Sequence, residues 1–306
     1  MSESNFSGPP LIAAVFATMS RPKTARGCIL ALARQTRPPE LVVVAANDPA
    51  DGTVEALERF TDLPFDLVIH RMLSNRGNAG GVEEAMDIAF RAGAAAVWIL
   101  DDDSWPRETA LEAICRSGLR PDVVKHAQQV DPATGRLTWP LPFDPGDGRW
   151  KMAWEPGDLP ATGPCRTRAA WTGAVIPREI HDRVGPVNGE LFIRGEDEEY
   201  PWRISQAGFE FELVIDSVLT HPGPRSPHHW HFLGKSFFFE ENLEDWKLYY
   251  KIRNMVWLKR RQAGIAKAVG MALSYLAAVC IIDGVRRIPL FLKAVRHGWT
   301  GKLGKL

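Results

Sequence analysis

Apolar positions along this chain come in compact blocks, each closed by a polar tip and followed by a stretch with helical spacing. The first block, Leu11 to Thr18, stops at "MSRP" and leads into "TARGCILALARQT", where Ile29, Leu30, Leu32 and Ala33 fall on one helical face. The unit then recurs: "ELVVVAAND" and "TVEALERF" read as a second strand and helix, and "DLVIHRM" opens a third strand. "SNRGNAGGVEEAMDIAFRAG" reads as a glycine-rich loop before a helix ending near Gly93, and "AAVWIL" as a fourth strand stopping at Asp101. Strands that are apolar throughout and alternate with helices predict a mostly parallel central sheet with flanking helices, an α/β fold. Ligands of such sheets bind beyond the carboxyl ends of the strands. Thr18 to Arg21, Asn47 and Asp48, Asn75 to Gly81, and Asp101 to Asp103 should therefore converge on one crevice.

From Pro121 to Pro164 no period is sustained, and Pro, Gly, Asp and Trp accumulate, which predicts loops and short strands rather than another strand–helix unit. "TRAAWTGAVIP" then reads as a strand, followed by a loop, an acidic cluster, a helix stopped by Gly208, and a further strand. Near the end, Ala268 to Ile282 gives about fifteen apolar residues where a membrane span needs roughly twenty. That predicts a helix lying on a membrane or packed in the fold, rather than one crossing it.

Composition sharpens this picture in two places. With 306 residues and 45% apolar content the chain can bury a core, and the expected division is a domain over 1–235 and a helical segment over 236–306. Lys plus Arg and Asp plus Glu balance at 37 each, so bulk charge gives no reason to expect nucleic acid as a partner. Yet Trp246 to Leu306 holds thirteen Lys and Arg against one acid, Asp283, so this tail suits an anionic surface or an oligomer contact. The cysteines, Cys28, Cys115, Cys165 and Cys280, form no CxxC pair, which argues against a zinc site or disulfide framework and for a reducing cytosol. The amino-terminal stretch lacks a basic lead-in, and its apolar run is too short for a signal peptide.

The chemistry concentrates in "VWILDDDSWP", where an apolar strand ends in three carboxylates and no basic residue follows until Arg107. Such a run needs positive charge that the adjacent sequence does not supply. In an extended chain Asp101 and Asp103 share one side and Asp102 the other, so one side could ligate Mg²⁺ or Mn²⁺ and the other could meet a sugar hydroxyl. A solvated acidic turn is the plainer alternative. The "GNAGG" stretch, with Asn78 and Gly80, could let backbone approach a ligand, although it lacks the GxGxxG spacing and a tight turn would serve as well. In "RGEDEEY", Glu198 and Glu199 suit a helix start, whereas Glu196 and Asp197 could include a general base. His221, at the end of "LVIDSVLT", could add a nitrogen ligand or be structural. "HHWH" (His228 to His231) offers no complete zinc site and reads as a loop near the acceptor.

Taken in order, "VFATMSRP", "ILALARQTRPPELVVVAAND", "NRGNAGG", "WILDDDSWP", "WTGAVIP", "LFIRGEDEEYPWRISQAGF", "THPG" and "YYKIRN" resemble a family 2 inverting glycosyltransferase of the GT-A fold over roughly residues 11 to 260. The likeness is greatest to bacterial galactofuranosyltransferases that begin galactan on a polyprenyl-linked acceptor, with rhamnosyltransferases and other hexosyltransferases as neighbours. It implies a nucleotide-diphosphate sugar donor, with UDP-galactofuranose favoured, a polyprenyl-linked or polysaccharide acceptor, and Mn²⁺ or Mg²⁺ as cofactor. It further implies that Thr18, Arg21 and Asp48 line the nucleotide site, that Asp101, Asp103 and His221 hold the metal, and that Asp102 lies near the donor sugar. Trp171, Thr172 and Gly173 would wall the pocket, and Asp197, with Glu196 beside it, would be the base. The family often carries an acid where this chain has Ala46, and some relatives exchange the order of the Glu196 and Asp197 types. A cytoplasmic enzyme at the inner face of the plasma membrane, peripherally bound, fits these implications. A nucleotidyltransferase would want glycines where "TMSRP" stands, and a non-catalytic sugar- or lipid-binding scaffold would not need two acidic clusters.

Overall fold

The computed structural model describes residues 11–48, 50–223, 227–232, 235–241 and 243–306. The amino-terminal stretch up to residue 10 lies outside them.

The predicted alternation forms β1 (Ile12–Thr18), α1 (Pro22–Ala33), β2 (Leu41–Ala46), α2 (Thr53–Leu57), β3 (Asp66–Arg71), α3 (Gly77–Arg91) and β4 (Ala96–Ile99). Strands β1, β2 and β4 are buried along their whole length, as strands covered on both faces must be. Pro22 at the first turn of α1 sets the helical φ where no amide is needed, and the four strands pair in parallel in the order β3-β2-β1-β4. The order reverses between β1 and β4, and Thr18 at the end of β1 and Asp101, two residues past the end of β4, flank that reversal.

Beyond β4 come β5 (Trp105–Pro106), α4 (Ala110–Cys115), β6 (Val123–Val130), β7 (Leu141–Asp144), β8 (Lys151–Ala153), β9 (Pro164–Thr167), β10 (Ala174–Pro177), α5 (Arg178–Val184), α6 (Glu196–Gln206) and β11 (Glu210–Thr220). They extend the sheet in the order β4-β10-β6-β11-β9-β7-β8, with β5 pairing β11. From β3 to β11 every strand except β10 runs the same way, so the central sheet is mostly parallel. The eight-residue β6 corrects the expectation of only loops and short strands after Pro121. Its polar residues hid it, and each has a partner: buried Lys125 donates to Ser117 Oγ and the Gly118 carbonyl, buried Gln128 to the Ile215 carbonyl, buried His126 Nε2 lies 2.7 Å from Thr167 Oγ1, and half-buried Gln129 donates to the Thr172 carbonyl.

Two cores cover the sheet. One packs α3, α5 and α6 through Val82, Met86, Ile180 and Ile204; the other packs α1, α2 and α4 through Ile29, Leu32, Leu57 and Leu111. The carboxyl-terminal part adds the antiparallel hairpin β12 (Pro227–Phe232) and β13 (Lys235–Glu240), then α7 (Asp245–Ala278) and α8 (Ile288–Thr300). The "HHWH" stretch is thus on a strand, not in a loop, and the division expected at 235/236 falls at the start of β13. A third core joins these helices to Phe192 and Phe239.

Candidate active site

A cavity of about 1530 Å³ opens where β1 and β4 end, larger than the few hundred to about a thousand Å³ of a single small-ligand pocket. Its walls include Thr18, Arg21, Asn47, Asn78, Asp101 to Asp103, Trp171, Thr172, Glu196, Asp197 and His221.

The acidic run does not continue the strand with the extended alternation expected of it: Asp101 to Ser104 form a turn, closed by the Ser104 amide donating to the Asp101 carbonyl at 2.9 Å, and it is the turn that groups the carboxylates. Asp101, Asp103 and His221 each offer a ligand atom within 4.8 Å of one another. Asp101 Oδ2 accepts from Thr172 Oγ1 at 2.6 Å, and His221 Nδ1 lies 2.8 Å from Ser104 Oγ and 3.6 Å from Asp103 Oδ1. Two carboxylates and an imidazole nitrogen make a donor set suited to Mn²⁺ or Mg²⁺. Burial lifts the Asp101 carboxyl above its ordinary range, against the pull of His221, as expected for a carboxylate in want of a cation.

Asp102 is held from the end of β1. Its Oδ2 accepts from Thr18 Oγ1 at 2.8 Å and its Oδ1 from Arg21 Nη1 at 2.5 Å, while Arg21 Nη2 reaches Asp103 Oδ2 at 2.6 Å. Part of the positive charge missing from the local sequence is therefore Arg21, brought from the end of β1. Even so, burial pushes Asp102 up to about 7.

Across the cleft, Glu196 and Asp197 begin α6 and sit differently. Asp197 is exposed into the cleft and accepts from the Gly195 amide at 3.0 Å. Enclosure by surrounding protein lifts its carboxyl. Glu196 is buried, accepts from Asn78 Nδ2 at 3.0 Å through Oε1, and finds no protein partner for Oε2. Burial first, then neighbouring Asp197, raises it to about 8. Ionising Glu196 thus opposes folding: the penalty is absent below the unfolded value near 4.5, grows as pH rises to about 8, and is constant above. Glu196→Gln is expected to stabilise the protein by about 1–2 kcal/mol at pH 8.5 and hardly at all at pH 4.5. Urea unfolding at the two pH values checks this; equal effects at both would show that Glu196 is ionised throughout.

Three expected site residues stand off the cavity wall. Asp48 is exposed and accepts from the Ala50 amide, while Asn47 lines the cleft, taking the Arg76 amide and donating to the Gly77 carbonyl, both at 3.0 Å. Gly80 faces the Arg76 side chain, and Gly173 packs on Leu219 and Ala127. The "GNAGG" stretch is not a loop but the first turns of α3. Its glycines serve close packing: a Cβ on Gly81 would lie 2.6 Å from that of Ala17 on β1, and one on Gly77, at φ +69°, would strike the Phe192 carbonyl.

Sequence reasoning also missed how the segment ahead of α6 is held. Phe192, Arg194 and Gly195 all have positive φ, an arrangement that needs outside support. Buried Asn254 Nδ2 approaches the carbonyls of Leu191, Ile193 and Arg194 at 2.9, 3.0 and 2.5 Å. Arg253, beside it, donates to the carbonyls of Leu191 and Gly304 and to Asn254 Oδ1. The legible signal was a polar pair inside the apolar "YYKIRNMVWL". Asn254→Ala is expected to lower kcat about tenfold with little change in KM for donor, by letting Asp197 drift. Steady-state kinetics checks this, and an unchanged kcat would mean that the segment holds itself.

This geometry agrees with what the chain resembles. The sequence model of glycosyl transferase family 2 matches residues 14–184. The chain belongs to that family. It is a glycosyltransferase of the GT-A fold. Galactofuranosyltransferase GlfT1 of Mycobacterium tuberculosis (strain ATCC 25618 / H37Rv) is 26% identical over 223 residues, covering 68% of this chain and 69% of that protein. GlfT1 of Mycolicibacterium smegmatis (strain ATCC 700084 / mc(2)155) is 25% identical over 230 residues, covering 69% and 71%. Among solved structures, S. aureus TarS 1-349 in complex with UDP-GlcNAc superposes with a TM-score of 0.55 at 11% identity, covering 92% of this chain and 79% of that one. The mannosyltransferase PcManGT from Pyrobaculum calidifontis, in complex with GDP-Man and Mn²⁺, gives 0.53 at 17% identity, covering 98% and 77%. At such identities these two structures bear on the fold alone.

Proposed function

We propose that the enzyme transfers galactofuranose from UDP-galactofuranose to a hydroxyl of a polyprenyl-linked or polysaccharide acceptor, inverting the anomeric carbon. The observation that carries this reading is that Asp197 is exposed into the same cavity that holds the Asp101, Asp103 and His221 group. The choice of sugar rests on the likeness to the mycobacterial galactofuranosyltransferases.

In this reading Thr18, Arg21 and Asn47 meet the nucleotide, Asn78, Trp171 and Thr172 wall the donor, and Asp102 lies near its sugar. Asp48, Gly80 and Gly173 serve the fold. A divalent cation, Mn²⁺ or Mg²⁺, held by Asp101, Asp103 and His221 would supply positive charge to the departing diphosphate. Asp197 takes the proton of the acceptor hydroxyl as its oxygen bonds to the anomeric carbon. The bond from that carbon to the diphosphate oxygen breaks, and its electron pair leaves with the nucleoside diphosphate. A base with a raised pKa holds the proton better in the transition state than an ordinary aspartate. Glu196, kept neutral by burial up to about pH 8, spares Asp197 a second charge beside it. If the acceptor is polyprenyl-linked, the enzyme works on the cytoplasmic side of the plasma membrane.

A donor panel tests the reading. With Mn²⁺ and a polyprenyl-diphosphate disaccharide, nucleoside diphosphate release is expected from UDP-galactofuranose and not from UDP-galactopyranose, UDP-glucose or dTDP-rhamnose. Preference for dTDP-rhamnose would keep the enzyme class and overturn the sugar.

A further inference from the structure

The catalytic reading leaves one large feature without a role, the outer side of α7 and the segment joining it to α8. Up to Leu258, α7 is mostly interior, with Leu248, Tyr249, Ile252, Val256 and Leu258 buried. At Gly264 the backbone leaves helical geometry (φ 82°), and the helix resumes in a new direction. From that point every fourth residue is exposed and apolar: Ile265, Val269, Leu273, Ala277, Ile281 and Val285. Residues four apart share a helix face, so Ile265 to Ala277 make a stripe on α7 that Ile281 prolongs in the π-helical turn after it, while Val285 is exposed just past the break at Gly284 (φ 89°). Ile265, Val269, Leu273, Ile281 and Val285 are 42% to 71% exposed, and Leu292 on α8 is 58% exposed. The opposite face, with Ala268, Tyr275, Ala278 and Val279, is committed to the core shared with Phe291 and Ala294. Solvent does not select such a stripe, which exceeds the scattered apolar residues of an ordinary surface.

Charge decides what covers it. Arg260, Arg261, Lys267, Arg286, Lys293 and Arg296 are exposed on the same carboxyl-terminal segment, and Arg286 and Lys293 directly follow the exposed Val285 and Leu292. The one acid after residue 245, Asp283, is already paired with Arg287 at 2.8 Å. A second copy docked about a two-fold axis would set these cations against their own images. An anionic bilayer would take the apolar stripe among its acyl chains and the long basic side chains at its headgroups. By length and composition the helix Asp245–Asp283 could cross a membrane. A crossing is disfavoured by the stretch between basic flanks: fifteen apolar residues from Ala268 span roughly 22 Å, against about 30 Å of hydrocarbon. It is disfavoured also by the helix's other face, which the fold already uses.

We propose that the stripe Ile265–Val269–Leu273–Ala277–Ile281, with its basic flank, is a docking face that lies in the plane of an anionic lipid surface. The inference does not depend on which sugar is transferred.

The test is co-flotation of the full chain with vesicles of phosphatidylcholine alone or with 30 mol% phosphatidylglycerol. Binding is expected to the anionic vesicles, to weaken on raising salt from 0.1 to 0.5 M, and to fall at least tenfold in Leu273→Glu/Ile281→Glu. Because that variant could disturb the fold, Arg286→Glu/Lys293→Glu, which keeps the stripe, is run beside it and is expected to lose the preference for anionic vesicles. Transfer to a soluble acceptor should be unchanged in both, which separates a docking failure from a failure of the catalytic reading. Vesicle binding by the apolar variant equal to wild type would overturn the proposal. So would a wild type that ignores vesicles and is a dimer in solution that the same substitutions make monomeric, since a second copy would then own the face.

Discussion

Replacing Asp197 by asparagine is expected to lower turnover about 10³-fold while nucleotide affinity changes less than about twofold. The side chain keeps its size, so the Gly195 amide still finds an oxygen to donate to, and the start of α6 is undisturbed. Only the capacity to take a proton is lost, a capacity that the proposed mechanism uses when the acceptor oxygen attacks and not when the donor binds. Rapid-quench turnover together with calorimetric titration of UDP in the presence of Mn²⁺ separates the two quantities. A collapse of affinity would make Asp197 a binding residue. Survival of turnover would pass the role of base elsewhere, with Glu196 the first alternative.

The second large effect is expected at Asp101. It is the cleaner handle on the cation group because its partner is Thr172, whereas Asp103 is also tied to Arg21. Asp101→Asn keeps the hydrogen bond from Thr172 and removes one of two carboxylate charges. Mn²⁺ affinity, read by calorimetry without any donor, should fall roughly 10²-fold, and chelation of the wild type should abolish turnover. The same affinity should weaken as pH falls, because the raised Asp101 carboxyl must release its proton before it can hold a cation. Unchanged affinity in the variant would place the cation elsewhere in the cleft.

The first half of the sheet was legible because buried parallel strands announce themselves as unbroken apolar runs, and the polar tips that close them became the floor of the cleft. Strand β6 was not legible, since Lys125, His126, Gln128 and Gln129 look like surface residues until the partners that satisfy them are known. Burial holds His126 down at about 4, so it stays neutral inside the sheet. The "GNAGG" stretch misled in the other direction. Glycines in sequence suggest a loop, but Gly81 lets α3 lie close on β1 and β2 and Gly77 lets it meet Phe192, contacts between segments that no local window contains. The acidic run drew attention to a need for positive charge, and the structure meets part of it with Arg21, about eighty residues away in sequence and outside any local window. Asn254 marks the furthest reach of this effect: a residue of the carboxyl-terminal helix fixes the segment that carries the candidate base.

The configuration of the product tests the central claim most directly. With UDP-galactofuranose, in which the sugar is α-linked, and a soluble acceptor, the anomeric proton and carbon signals of the purified product identify the new bond. A β linkage is the result expected of direct attack by a hydroxyl that Asp197 deprotonates. An α linkage would contradict it, since retention requires a second displacement or a same-face route that a lone base across the cleft does not provide.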